Sequence, residues 1–539
     1  MTEEGVDDDN HSSNKRENPL KKIRARWKKV RRSIRWTLQV VGFIVLLLAV
    51  WQGNDFVNNK LESWKQTARE SRRIRILVPL YATKKEFFQF IDLEEKKNLR
   101  VDKKDFSKKV SRDMMSAVEA ASQAWFSIRR GTNDSLSDKQ VDFYFFPEGY
   151  SEDPMSYKIA LAKALREAQA DGYQVAGILG NITSTATVEY GKLCGQKDLD
   201  ITKDEDMSSK QSDPGQLPMV VPLSTAANVP QTLRGSNVPA VLRLPPDNEE
   251  QSKVLADFLL HQAKPVLNSV VIRDISNRTY SNDLIESFRD RYVQAPLKEA
   301  QEIAAKIPRE KQDSLGLPWG NILAVLPAGG EGGDPAIFST LEKLAPEAVL
   351  VCGMTDVSLE TLAQVKASKS KPTYVLLTDG AVDEYLLPQI AKLVLPMSDP
   401  QIYLSFPLET PNPASVEETT RSLDDKDKQN LEMTHAMYVI DSVSIVLTLL
   451  EEGIFKKKYN DSARQILTRE MKSLYETGPK EIGIKVPSNI TYTFDSFGNS
   501  THLNYRMFRM CFPQVAGCPR DKGTVWVRAD EVGNRSAAK

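Results

Sequence analysis

At 539 residues with no net charge, the chain is long enough for two to four domains and a large buried core. The neutral balance hides an asymmetry, because residues 1–35 hold 11 Lys or Arg against 6 Asp or Glu and the remainder is mildly acidic. No basic stripe with interleaved aromatics runs through that remainder, so nothing points to a nucleic-acid partner.

The first predicted element is WTLQVVGFIVLLLAVWQG, Trp36 to Gly53, 18 residues without a charge. As a helix at about 1.5 Å per residue it spans roughly 27 Å, close to the hydrocarbon thickness of a bilayer. Trp36 and Trp51 stand where interfacial aromatics are expected, and KKIRARWKKVRRSIR precedes them with 9 basic residues in 15. The basic flank predicts a cytoplasmic segment 1–35, a transmembrane signal-anchor 36–53 in the lipid bilayer, and an extracytoplasmic remainder in the cell membrane. A cleaved signal peptide is the rival reading; the long basic region and the lack of an A-x-A-like site speak against it. A polar stretch, 54–72, follows as a stalk.

From Ile74 onward, β-branched runs alternate with amphipathic segments. Strands are expected at 74–81, 141–148, 175–180, 219–224, 269–276, 322–328, 348–354 and 373–380, with helices at 156–172 and 251–264 among others. Alternation with mostly apolar strands predicts an α/β fold of parallel sheets covered on both faces. So many units divide naturally into two lobes, with a ligand at the carboxyl ends of the strands. The polar stretch 195–216 is read as a surface insertion. No internal repeat of 20–50 residues is evident.

The segment VAGILGNITSTATVEYGKL, 175–193, holds the most information. An apolar run ends at Gly180, and Thr183, Ser184 and Thr185 open a helix. One reading is a simple helix cap; the other is that the amides and hydroxyls receive the anionic end of a small ligand.

Nine pieces occur in one order: DFYFFPEGYSEDP, VAGILGNITSTATVEYGKL, MVVPLSTAANVPQTL, AVLRLPPDNEEQSKVLADFL, SVVIRDISNRTYSNDLIESFRDRY, AVLVCGMTDVSLETL, YVLLTDGA, HAMYVIDSVSIVLTLLEEG and ITYTFDSFGNS. In that order the chain resembles the type I periplasmic binding proteins, specifically the branched-chain amino-acid (leucine/isoleucine/valine) receptors of ABC transporters. The resemblance implies a two-lobed binding domain over 73–510 that closes around a small ligand. Lobe one would comprise about 74–245 and 373–480, lobe two about 249–371 and 485–510, and 511–539 would be a C-terminal tail.

Carried over residue by residue, the resemblance implies that Ser184, flanked by Thr183 and Thr185, binds a ligand carboxylate. In the next loop, PLSTAAN, Ser224, Thr225 and Ala227 take the same part. Tyr280 would close on the ligand from lobe two, and Glu331 in AGGEGGD would meet its ammonium group. One departure is the segment after the first strand, 81–106, which is longer and more charged than the family's small Gly-containing loop; Lys84, Lys85 or a Phe of FFQF would line or cover the mouth.

Cys511 and Cys518 fit a disulfide in an oxidising compartment, or two unpaired thiols; Cys194 and Cys352 read as core residues. The four histidines have no neighbouring ligand residues, so no metal site is expected. No G-x-S-x-G turn marks a nucleophile, and GGEGG lacks the G-K-[ST] of a phosphate loop. No catalytic residue and no cofactor are therefore expected, and the chain is read as a non-enzyme. The expected function is solute binding for ABC-type uptake of an amino acid or related carboxylate, with permease and ATPase subunits as partners. A membrane receptor or scaffold that uses the fold for sensing is the alternative.

Overall fold

The computed structural model describes residues 72–529, apart from 93–100, 108, 130–134, 151–152, 197–215, 294–321, 330–334, 382–385, 394–399, 408–435, 477–485, 488–491, 502–504, 513–517 and 519–524. The expected bilayer segment 36–53 and stalk 54–71 lie outside the described residues, as does nearly all of the insertion 195–216. Among the described residues no helix is long and apolar enough to cross a membrane.

Two sheets organise residues 72–529. The first has five strands, β1 (Ile74–Leu80), β2 (Val141–Pro147), β3 (Gln174–Leu179), β4 (Met219–Val221) and β5 (Val241–Arg243), in the order β2-β1-β3-β4-β5. Every neighbouring pair is parallel. The second contains β6 (Ser269–Asp274), β7 (Ile322–Ala328), β8 (Ala348–Cys352), β9 (Tyr374–Leu377) and β10 (Gln401–Phe406) in the order β7-β6-β8-β9-β10. That order repeats the first sheet's 2-1-3-4-5, and these pairs too are parallel. Beyond β10 come two antiparallel strands, β11 (Arg506–Cys511) and β12 (Val525–Arg528).

Both sheets are buried on both faces, as the apolar strands require. In β1, Ile74, Ile76 and Val78 enter one core cluster and Leu77 the opposite one; in β6, Val270 and Ile272 are separated from Val271 in the same way. The period-two alternation of side chains sends each set to its own helical layer.

Three corrections to the expected domain boundaries follow. Strands β9 and β10 belong to the second sheet, so residues 374–406 lie in lobe two and not in lobe one. The five-strand repeat is complete only when β10 pairs with β9. The chain returns to lobe one with the helix Ala436–Glu451, whose Val439, Val443 and Leu447 join the first sheet's core. The final crossing is also later than expected. Tyr492 and Phe494 are buried in lobe one, and Asn499 bridges to Arg243 of β5, so the return falls between Ser500 and Tyr505. Finally, the expected tail contributes a strand, β12, and Cys511 and Cys518 are joined by a disulfide with Cα atoms 5.3 Å apart. Cys194 and Cys352 are buried thiols.

Candidate functional site

A cavity of about 60 Å³ lies where the carboxyl ends of the two sheets meet. In an open sheet of this strand order, the ligand crevice forms where connections leave in opposite directions, between the first and third strands. Both sheets bring that point to the cavity. Ile182 and Ser184 follow β3, while Leu223 and Thr225 follow β4; Asn277 and Tyr280 follow β6, Met354 follows β8, and Asp379 and Gly380 follow β9. Val110 completes the lining.

Lobe one supplies hydrogen-bond donors. Gly180 ends β3 with φ +148°, a conformation that favours glycine, and a Cβ there would stand 3.2 Å from Pro79. The chain then turns into α4 (Ser184–Cys194), the fourth α-helix among the described residues. Thr183 is its N-cap, accepting from the Ala186 N–H at 3.2 Å. The first-turn amides have no intrahelical acceptor, and the helix dipole adds a partial positive charge. The Ser184 Oγ is 2.8 Å from the Ser224 Oγ, which donates to it, and also accepts from the Ala226 N–H. Its own proton is thereby left to donate into the cavity. The Thr225 hydroxyl has no partner among the described residues. Behind this loop Arg243, 1% exposed, donates to the carbonyls of Thr225 and Ala226 at 3.3 and 2.7 Å. Those carbonyls are held by the guanidinium and turned from the cavity, and Asp247 at 3.3 Å offsets the buried charge.

Lobe two supplies a carboxylate. Asp379, 1% exposed, accepts the Tyr280 hydroxyl at 2.6 Å, the Tyr505 hydroxyl at 2.8 Å and the Gly380 N–H at 2.9 Å. No Lys or Arg pairs with it among the described residues. Burial, and then the Asp379 charge, push the Tyr280 and Tyr505 hydroxyls well above the ordinary phenol range, so both act as donors to a carboxylate. Asp274 arranges the neighbouring loops, accepting from Ser276, Asn277 and the Met354 N–H.

The lobes also touch directly. The Thr185 hydroxyl donates to Asn277 Oδ1 and accepts from the Thr279 N–H, each at 3.3 Å. The Ala227 N–H donates to Asp283 at 2.8 Å. Burial raises the Asp283 pKa, partly countered by this amide and by Asn248.

Of the residues singled out from sequence, Ser184, Thr225 and Tyr280 line one cavity. Ser224 stands behind Ser184, Thr183 caps its helix, and Thr185 and Ala227 are bonded to the opposite lobe. Glu331 lies outside the described residues. None of Lys84, Lys85 or the Phe residues of FFQF lines the cavity; they sit on the helix Lys84–Asp92, and it is Val110, at the start of the next helix, that reaches it. Asp379 was not anticipated. Its signal was an Asp-Gly pair directly after a buried strand, at the end where ligands bind.

No family model and no curated protein matches this sequence. Solved structures do. A solute-binding protein of an ABC transporter from R. palustris, in complex with benzoate, is 12% identical with TM-score 0.51, over 85% of this chain and 95% of its own. An ABC transporter substrate-binding protein from Desulfitobacterium hafniense, in complex with Leu, is 14% identical with TM-score 0.47, over 85% of this chain and 100% of its own. The two parallel sheets with their helices thus share the fold of the R. palustris solute-binding protein.

Proposed function

We propose that this chain is a membrane-anchored, extracytoplasmic solute-binding protein that closes two lobes around an amino acid or a similar small zwitterion. The observation that carries the reading is the polarity of the cavity: free hydroxyl donors and a helix N-terminus on lobe one face an uncompensated carboxylate, Asp379, on lobe two. A helix terminus contributes about 0.3–1 kcal/mol toward an anion. Hydrogen bonds to a charged group add about 1.5–3 kcal/mol each, so the hydroxyls outweigh the dipole. An ammonium group beside Asp379 neutralises a carboxylate that otherwise stays buried without a cation.

Binding requires no covalent step. The ligand bonds to both lobes only when they are together, and so shifts the population toward the closed arrangement. The charge-free segment 36–53 with its basic flank supports a single-pass anchor, N-terminus inside. Delivery of the ligand would then fall to permease and ATPase subunits in the same membrane. Isothermal titration of the detergent-solubilised chain against the common amino acids and small carboxylates tests the reading. Micromolar or tighter binding of a zwitterion is expected, and silence across the whole panel defeats it.

A further inference from the structure

The cavity is small, and part of its lining is apolar. An engineered protein cavity of about 150 Å³ accommodates benzene; the cleft here measures about 60 Å³, less than half of that. Its polar lining, Ser184, Thr225, Asn277, Tyr280 and Asp379, is buried, and Ser184, Thr225 and Asp379 take up the two charged ends of a zwitterion. Three half-buried apolar side chains from separate elements are among its lining: Val110, Leu223 and Met354.

Each is held by its surroundings. Val110 begins the helix Lys109–Arg129, and the neighbouring Ser111 hydroxyl ties that helix start to the Tyr81 carbonyl at 2.5 Å. Leu223 directly precedes the Ser224–Ser184 hydrogen bond. Met354 has its N–H on Asp274 at 3.1 Å and its sulfur 3.9 Å from the Asn277 Nδ2. These bonds fix the backbone from which the three side chains project, so the side chains stand against any ligand side chain that enters the cavity.

Building on the zwitterion reading, we propose that Val110, Leu223 and Met354 form a size filter that restricts the ligand to the smallest amino acids, glycine and alanine in the first place. Excluding a longer side chain by apolar walls gives roughly 10- to 200-fold discrimination per methylene at best. The filter therefore separates alanine from leucine by a large factor and glycine from alanine by a small one.

The test is titration of the full-length chain in detergent with glycine, L-alanine and L-leucine, repeated for Met354→Ala, Leu223→Ala and Val110→Ala. Wild type is expected to bind glycine or alanine at least tenfold more tightly than leucine. At least one truncation is expected to raise the leucine-to-glycine affinity ratio at least tenfold. Thermal melts identify any variant that fails to fold, and the remaining ones decide. Leucine binding as tight as alanine binding by wild type overturns the filter and leaves the zwitterion reading standing. So does an unchanged ratio in every folded variant. If wild type binds no amino acid at all, both fall.

Discussion

The two lobes bring the same topological position to the cleft, the loop after the third strand of a 2-1-3-4-5 sheet, and fill it differently. In lobe one that loop runs from Gly180 to Ser184 and presents hydroxyls at the start of α4. Its counterpart in lobe two, after β8, runs through Gly353 and Met354. Met354 makes no side-chain cap, and Asp274 binds its amide from the neighbouring loop. The helix start is thus capped by a threonine hydroxyl on one side and by a carboxylate from the neighbouring loop on the other. Lobe two offers its charge from the next loop instead, at Asp379. Repeating a strand order repeats the positions at which chemistry is done; the chemistry itself depends on which side chain follows each strand.

A second contrast lies after the second strand of each sheet. Lobe one places Glu148 there, 1% exposed, with the Asn181 Nδ2 donating to it at 2.9 Å; in lobe two, β7 is followed by Gly329. Burial pushes the Glu148 pKa up to about 8 from an ordinary 4.5, against the hydrogen bond from Asn181. The folded state thus holds the proton more tightly than the unfolded chain. The stability Glu148 contributes is full below pH 4.5, declines as pH rises toward about 8, and changes no further above it. At about 1.4 kcal/mol per pKa unit, the loss is on the order of a few kcal/mol. Glu148→Gln, which still accepts from Asn181, should flatten urea-unfolding stability over this window relative to wild type. Parallel pH profiles for the two proteins would remove the distinction between the lobes.

Breaking the charge on the other side tests the polarity of the cavity. Asp379→Asn removes the carboxylate charge and keeps one acceptor oxygen, so of the two tyrosines, which donate to different oxygens, one must turn its hydroxyl to accept from the new NH2. Affinity for a zwitterionic ligand should fall by about 2–5 kcal/mol, tens- to thousands-fold, because the ammonium group then lies buried without a partner. The far-ultraviolet circular dichroism should match wild type. Equal affinity in a titration would show that lobe two contributes no charge to binding.

That Asp379 escaped notice while Ser184 did not has a physical reason. The lobe-one hydroxyls come in two short runs, Thr183 to Thr185 and Ser224 to Thr225, each legible in the sequence by itself. Asp379 becomes a site only when Tyr505, 126 residues away, and Tyr280, 99 residues away, fold against it. Before that it is an Asp-Gly pair, the commonest turn chemistry. The strands divide along a similar line. Most apolar parallel runs of both sheets are readable, whereas β5 has three residues, β10 (QIYLSF) mixes polar residues into its run, and β11 (RMFRMC) carries arginines among its apolar residues as befits an antiparallel strand near an edge. The lobe boundaries depended on those unread strands, and β10 above all.

Two threonines of lobe one distinguish capping from binding most finely, because both were candidates for the same ligand. Thr183 spends its hydroxyl on the Ala186 amide at the start of α4, whereas the Thr225 hydroxyl has no partner among the described residues and lines the cavity. Thr225→Val keeps the shape and should weaken ligand binding by about 1.5–3 kcal/mol, with the melting temperature nearly unchanged. Thr183→Ala should do the reverse, lowering stability by about 0.5–2 kcal/mol while affinity stays close to wild type. Titration and chemical denaturation of the same two variants measure both quantities. If Thr183→Ala cost affinity and no stability, its hydroxyl would leave the helix for the ligand on binding, and the amides of α4 would then be capped by the ligand carboxylate itself.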